Sequence, residues 1–141
     1  MREILFRGKR IDNGEWIEGC LLNVTLGGKT ARLIFGDNFI RAKNDVKALS
    51  HAMVDPETVG QFTGLTDKNG KKIFEGDIVT AKDEIWGSPF CYSITGKIVY
   101  DEASFFIEPK DVMETQYIFN ECAVYEVIGN IHDNPELLEN P

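Results

Sequence analysis

The chain has 141 residues, 43% of them apolar and 27% charged, a balance that excludes disorder and predicts a packed globular fold. No apolar run approaches the roughly 20 residues that span a bilayer, and no stretch is built like a signal peptide, so a soluble cytoplasmic protein is expected, with no membrane partner. The formal net charge of −8 is unevenly spread. Residues 1–72 hold 12 Lys and Arg against 9 Asp and Glu, while residues 73–141 hold 3 against 14. An acidic C-terminal half would repel a phosphate backbone, which makes nucleic acid an unlikely partner.

Period-2 patterning dominates, and each run of it ends at a turn signal. Glu3–Arg7 and Glu15–Val24 read as strands flanking a turn at Asn13-Gly14. Lys29–Phe35 follows the Gly27-Gly28 turn, and Asn38–Ala42 reads as a further short strand. Asp45–Met53 carries Val46, Leu49 and Met53 at helical spacing, although His51–Val54 equally suits a strand entering Pro56. Val59–Leu65 and Lys72–Lys82 flank a second Asn-Gly turn at Asn69-Gly70.

The clearest strand is Phe90–Tyr100. Its even positions Phe90, Tyr92, Ile94, Ile98 and Tyr100 are apolar, its odd positions largely polar, and Gly96 offers a bend. A hairpin through Asp101-Glu102-Ala103 leads to Ser104–Glu108, and Ala123–Ile131 is β-branched and aromatic. The last element is a short C-terminal helix, predicted from Asn134 as cap, Pro135 in the first turn and Glu136 beside it. These readings predict a mostly β fold of twisted antiparallel sheets with a barrel-like core. An N-terminal β-lobe (1–50) is followed by a barrel-like domain with the terminal helix (51–141), across a soft boundary.

No catalytic constellation is recognisable. The carboxylate pairs Asp83/Glu84 and Asp101/Glu102 are adjacent in loops, whereas acid–base chemistry needs two carboxylates converging from different elements. The three cysteines, Cys20, Cys91 and Cys122, never form C-x-x-C, and His51 and His132 lie in unrelated segments, so no metal site or cofactor is expected. Free thiols fit a reducing compartment. Asp67-Lys68-Asn69-Gly70 has the look of a calcium loop, but glycine falls fourth rather than sixth and Ile78 occupies the twelfth position, where calcium requires a glutamate. Glu75-Gly76-Asp77 reads as a turn into a strand. Phe105 and Phe106 must face opposite sides of a sheet, which points one of them toward a second lobe or a second subunit.

Two longer stretches are more specific. Val54–Val79 includes Gly60-Gln61-Phe62-Thr63-Gly64-Leu65-Thr66-Asp67-Lys68-Asn69-Gly70 and Glu75-Gly76-Asp77-Ile78. Glu126–Leu138 includes Gly129-Asn130-Ile131-His132-Asp133-Asn134-Pro135. With Phe6-Arg7-Gly8-Lys9 and Asn13-Gly14-Glu15-Trp16, these stretches resemble the YopX family of phage and prophage proteins over nearly the whole chain. The resemblance implies a mostly β fold and action inside the bacterial cytoplasm, and it carries no reaction onto any residue.

The expected function is therefore non-enzymatic: an accessory protein acting through protein–protein contacts, as a homo-oligomer whose oppositely charged halves attract. One alternative is an acidic regulator or decoy that docks a basic host or phage protein through residues 73–141. The other is a β-barrel module binding nucleic acid or a small ligand near Trp86 and the Asp67–Lys72 turn. The motif's polar residues either hydrogen-bond neighbouring turns or form a surface site, and the candidate binding surface is Gln61, Thr63, Asp67, Lys72 and Trp86.

Overall fold

In the computed structural model, residues 3–36, 51–83, 93–110, 116–117 and 123–139 are described. The chain divides into two compact units, Met1–Phe62 and Thr63–Pro141. The expected strand over Asn38–Ala42, most of the helical reading over Asp45–Met53, and Trp86 lie outside the described residues.

The first unit contains β1 (Phe6–Lys9), β2 (Trp16–Leu26), β3 (Lys29–Phe35), β4 (Met53–Val54), a 3-10 turn at Pro56–Thr58 and the start of β5 (Gly60–Thr66). The strands are antiparallel in the order β4-β3-β2-β1, and β5 pairs with β1 at Gln61 and Gly60. Local chemistry sets both hairpins. The β1–β2 turn closes through Gly14 N–H to Arg10 C=O at 3.0 Å, with Gly14 at φ +72° and the Asn13 side chain accepting from Glu15 N–H at 2.9 Å. Gly27 and Gly28 both take positive φ (59° and 80°), the two-residue turn whose twist suits a hairpin, and they join Leu26 to Lys29.

Val54 lies between two neighbours: it pairs with Arg32 of β3 and bridges to Arg10 just beyond β1. Ile11 N–H to Met53 C=O (3.0 Å) and Asp55 N–H to Lys9 C=O (2.8 Å) hold that bridge. Gly8 permits the approach, because a side chain there would press on Val54 Cβ at 3.1 Å and Ile34 Cδ1 at 3.2 Å. Among the described residues of this unit, Leu33, Ile34, Ala52, Val54 and Phe62 are buried and apolar.

The second unit begins with the remainder of β5, hydrogen-bonded to β6 (Lys72–Phe74). A five-stranded antiparallel sheet follows, built from β7 (Asp77–Asp83), β8 (Ser93–Asp101), β9 (Ser104–Pro109), β10 (Gln116–Tyr117) and β11 (Ala123–Asn130) in the order β10-β9-β8-β7-β11. Its core gathers Ile73, Val79, Ala81, Ile98, Phe105, Ile107 and Tyr125, with Leu65, Ile94 and Val127 against it. Each large side chain buried this way contributes about 1.5–3 kcal/mol.

Three expectations are corrected here. The barrel-like core is an open sheet: among the described residues β10 and β11 form separate edges and do not pair. The single strand expected over Lys72–Lys82 is broken at Glu75-Gly76, where Gly76 takes φ +91° and the Asp77 carboxylate accepts from Phe74 N–H at 2.8 Å, so β6 and β7 enter different sheets.

The predicted C-terminal helix is a single 3-10 turn at Pro135–Leu138. The Asn134 side chain does not cap it but accepts from Asn130 N–H at 3.3 Å, and Glu139 is already extended. One turn cannot offset the cost of nucleating an α-helix.

The expected face pattern of β8 holds at Gly96 and Ile98, which are buried, and fails at the tip, where Tyr100 is exposed and meets Phe105 edge-on at 4.9 Å. Phe105 is buried and Phe106 half-buried on the opposite face.

Candidate functional site

Four of the five residues singled out from sequence fall among the described residues. Gln61 is half-buried on β5 opposite Phe6. Thr63 is buried, and its hydroxyl donates to Ile73 C=O at 2.8 Å while accepting from Leu65 N–H at 3.2 Å. Lys72 is half-buried on β6.

Asp67 is the most heavily engaged. It is 7% exposed; Oδ1 accepts from the N–H groups of Asn69 and Lys71, each at 2.9 Å, and Oδ2 accepts from Val127 N–H at 3.0 Å. The adjacent Lys68 N–H donates to Tyr125 C=O at 2.9 Å, and Lys68 Nζ lies 3.0 Å from Glu126. The turn therefore folds over the outer side of β11, which is an edge strand, and satisfies backbone groups that would otherwise stand open. Burial pushes the Asp67 carboxyl up, but the N–H groups of Val127, Lys71 and Asn69, with the charge of Lys71, outweigh it and hold the group below its usual range. Thr63 and Asp67 both bond backbone groups of neighbouring strands and turns.

The second long motif is also bonded locally. The Asn130 side chain accepts from His132 N–H (3.0 Å) and Asp133 N–H (2.9 Å) and donates to Asp133 (3.1 Å). Any side chain at Gly129 would meet Asn134 Oδ1 at 2.6 Å, so the glycine is required by close approach.

Charged and aromatic side chains collect instead on the β1–β2 hairpin. Register sets Lys9 opposite Trp16 and Arg7 opposite Glu18. The Arg7 guanidinium lies 4.7 Å from the Trp16 ring centroid and Lys9 Nζ 5.5 Å from it, a doubly cationic contact on one indole. Around the hairpin turn, Asp12 Oδ2 lies 2.6 Å from Arg10 Nη2 and 2.8 Å from His51 Nδ1. Both groups converge on one carboxylate oxygen, and Arg10 Nη2 also lies 2.7 Å from His51 Nδ1, so the three side chains form one contact triangle. The Arg10 bond first and the His51 bond second hold the Asp12 carboxyl below its usual range.

The sequence reading missed this cluster. The Asn13-Gly14 turn could have given the register that aligns Trp16 with Lys9. Nothing local relates His51 to Asp12, 39 positions away. Among the described residues no three His, Cys, Asp or Glu side chains gather as a metal site, and no helix is long and apolar enough to cross a membrane.

Two of the solved structures that this chain resembles cover nearly all of it. Protein yopX from Bacillus subtilis is 18% identical, covering 99% of this chain and 100% of that one at a TM-score of 0.54, a likeness of fold. Protein EF1440 from Enterococcus faecalis is 26% identical with the same coverage and a TM-score of 0.49. No curated protein sequence matches the chain. The family model described as YopX protein matches residues 5–139, and on that match the chain belongs to the YopX family.

Proposed function

We propose that this protein is a non-enzymatic accessory factor of a phage or prophage, acting in the bacterial cytoplasm through protein–protein contacts and as a homo-oligomer. The observation that carries this reading is where its polar residues are spent. Thr63, Asp67 and Asn130 bond backbone groups within their own unit, and the buried Asp77 carboxylate likewise accepts from Phe74 N–H. The unit formed by residues 1–62 holds 9 Lys and Arg against 8 Asp and Glu; the unit formed by residues 63–141 holds 6 against 15, a net of −9. Between copies, the first unit of one against the second unit of another is the pairing of opposite sign, net +1 against −9, and salt weakens that attraction. The exposed free thiol of Cys20 supports a reducing compartment.

The test is the solution mass by sedimentation, across concentration and ionic strength. The reading expects mass to rise with concentration, and the share of association held by the charged units to fall as salt is added. A monomer under every condition contradicts it. The −9 unit also supports docking of a basic host or phage protein. Capture of such proteins at low salt and their release at high salt would distinguish that reading, and an empty low-salt capture counts against it.

A further inference from the structure

The β2–β3 hairpin extends beyond its neighbours. β2 runs from Trp16 to Leu26, but β1 pairs with it only as far as Gly19, so from Cys20 onward one side of β2 has no strand beside it among the described residues. The two-residue turn at Gly27-Gly28 fixes which groups that side presents. Leu26 and Lys29, the pair closing such a turn, exchange both backbone hydrogen bonds, and so in alternation do Val24 with Ala31 and Leu22 with Leu33. The N–H and C=O groups of Leu21, Asn23 and Thr25 therefore point outward. The same odd-numbered positions, at Ile17 and Gly19, face β1 where β1 is present. The cross-strand side-chain bonds Thr25–Thr30 (3.0 Å) and Asn23–Arg32 (2.9 Å) fall at the intervening pairs, where facing side chains stand closer.

Open edges are ordinarily guarded by charge, proline or a bulge. Among the described residues β2 itself carries none of them from Cys20 onward; a charge close to it is Arg32 of β3, bonded to the Asn23 side chain at 2.9 Å. Residues 19–28, Gly-Cys-Leu-Leu-Asn-Val-Thr-Leu-Gly-Gly, carry no charge and no proline, and the register with β3 is unbroken. Leu22 is 47% exposed on it, and Cys20 is exposed at its start.

We propose that the Cys20–Leu26 edge of β2 is a self-association strand, pairing antiparallel with the same edge of a second copy about a two-fold axis near Asn23. Charge selects that occupant. A nucleic acid or a strongly charged protein gains nothing from a neutral edge, whereas two copies each carrying −8 meet with least repulsion where the chain is uncharged. Identical antiparallel strands are self-complementary about a two-fold, so Leu21 satisfies the partner's Thr25, and Asn23 pairs with its own copy. The pairing rests on the self-association reading above and names its surface. Unlike the contact between charged units, it persists in salt.

The experiment places one cysteine on the axis, Asn23→Cys, in a chain whose Cys20, Cys91 and Cys122 are serine. Facing hydrogen-bonded residues stand about 5.5 Å apart at Cα, within the roughly 4.4–6.8 Å that a disulfide spans. Mild oxidation at high salt is expected to link most of the protein as dimers, while Thr30→Cys on the neighbouring strand links little. Asn23→Pro removes an outward N–H without touching the ladder to β3, and is expected to turn the high-salt dimer into monomer, with a urea midpoint no lower than that of Asn23→Ala, which loses the same exposed bond from Arg32; should the proline variant misfold, the cross-link decides alone. Association that salt dissolves, with no link at position 23, overturns the β2 edge and leaves self-association standing. A monomer throughout overturns both.

Discussion

Replacing Asp67 by asparagine tests the reading of the Val54–Val79 motif as a structural latch. The carboxylate accepts from three backbone N–H groups, two at Oδ1 and one at Oδ2. An amide keeps one acceptor oxygen, so either Val127 N–H or the Asn69 and Lys71 pair must face an NH2 group. A buried donor left without a partner costs about 1–3 kcal/mol, and the remaining bonds lose their charge assistance. Asp67→Asn should therefore destabilise the second unit by about 2–4 kcal/mol.

The assay is urea unfolding in a Trp16→Phe background, where Trp86 is the sole tryptophan, with the slope checked for constancy. The pH dependence supplies an independent sign. Because the folded carboxyl lies below its unfolded value of about 3.9, its contribution is complete above that value and is lost as pH falls through the folded pKa. The gap between wild type and variant should therefore close in acid. A variant within about 0.5 kcal/mol of wild type at neutral pH, a size typical of inconsequential surface changes, would refute the latch. So would a gap that acid leaves untouched.

Other perturbations follow from the same geometry. Glu102 and Ala103 both sit at positive φ (47° and 61°) in the β8–β9 turn, where Asn-Gly is favoured; the double change Glu102→Asn, Ala103→Gly should stabilise by about 1–2 kcal/mol, read as a raised urea midpoint at constant slope. Gly96→Ala drives a methyl into the Glu108 carbonyl of the adjacent strand, and should cost about 1–3 kcal/mol in the same assay. Thr63→Val removes the bonds to Ile73 and Leu65 and should cost about 1–3 kcal/mol, whereas Thr63→Ser should recover much of the loss.

Local chemistry made much of this fold legible. Turns at Asn13-Gly14, Gly27-Gly28 and Asn69-Gly70 supply glycine where positive φ is needed, and the alternation between them marks the strands. What escaped depends on partners distant in the chain. Whether a curved sheet closes is decided by which strands become neighbours, and no single strand's pattern encodes that. The 3-10 turn at Pro135 reflects the capture of the Asn134 side chain by Asn130, a contact that the capping signal does not reveal. Asp67 is a further case of a partner distant in the chain. Its polarity suggested availability, yet its second oxygen is taken by Val127, 60 positions later. Conversely, the Arg10–Asp12–His51 cluster is assembled from a hairpin turn and a residue that no local rule connects to it.

Backbone amide exchange, compared at dilute and concentrated protein in high salt, tests most directly whether this molecule works by meeting copies of itself. Asn69, Lys71 and Val127 should be protected at both concentrations, and Leu21, Asn23 and Thr25 only when concentrated. Exchange that ignores concentration everywhere, with the three amides around Asp67 unprotected, would contradict the account.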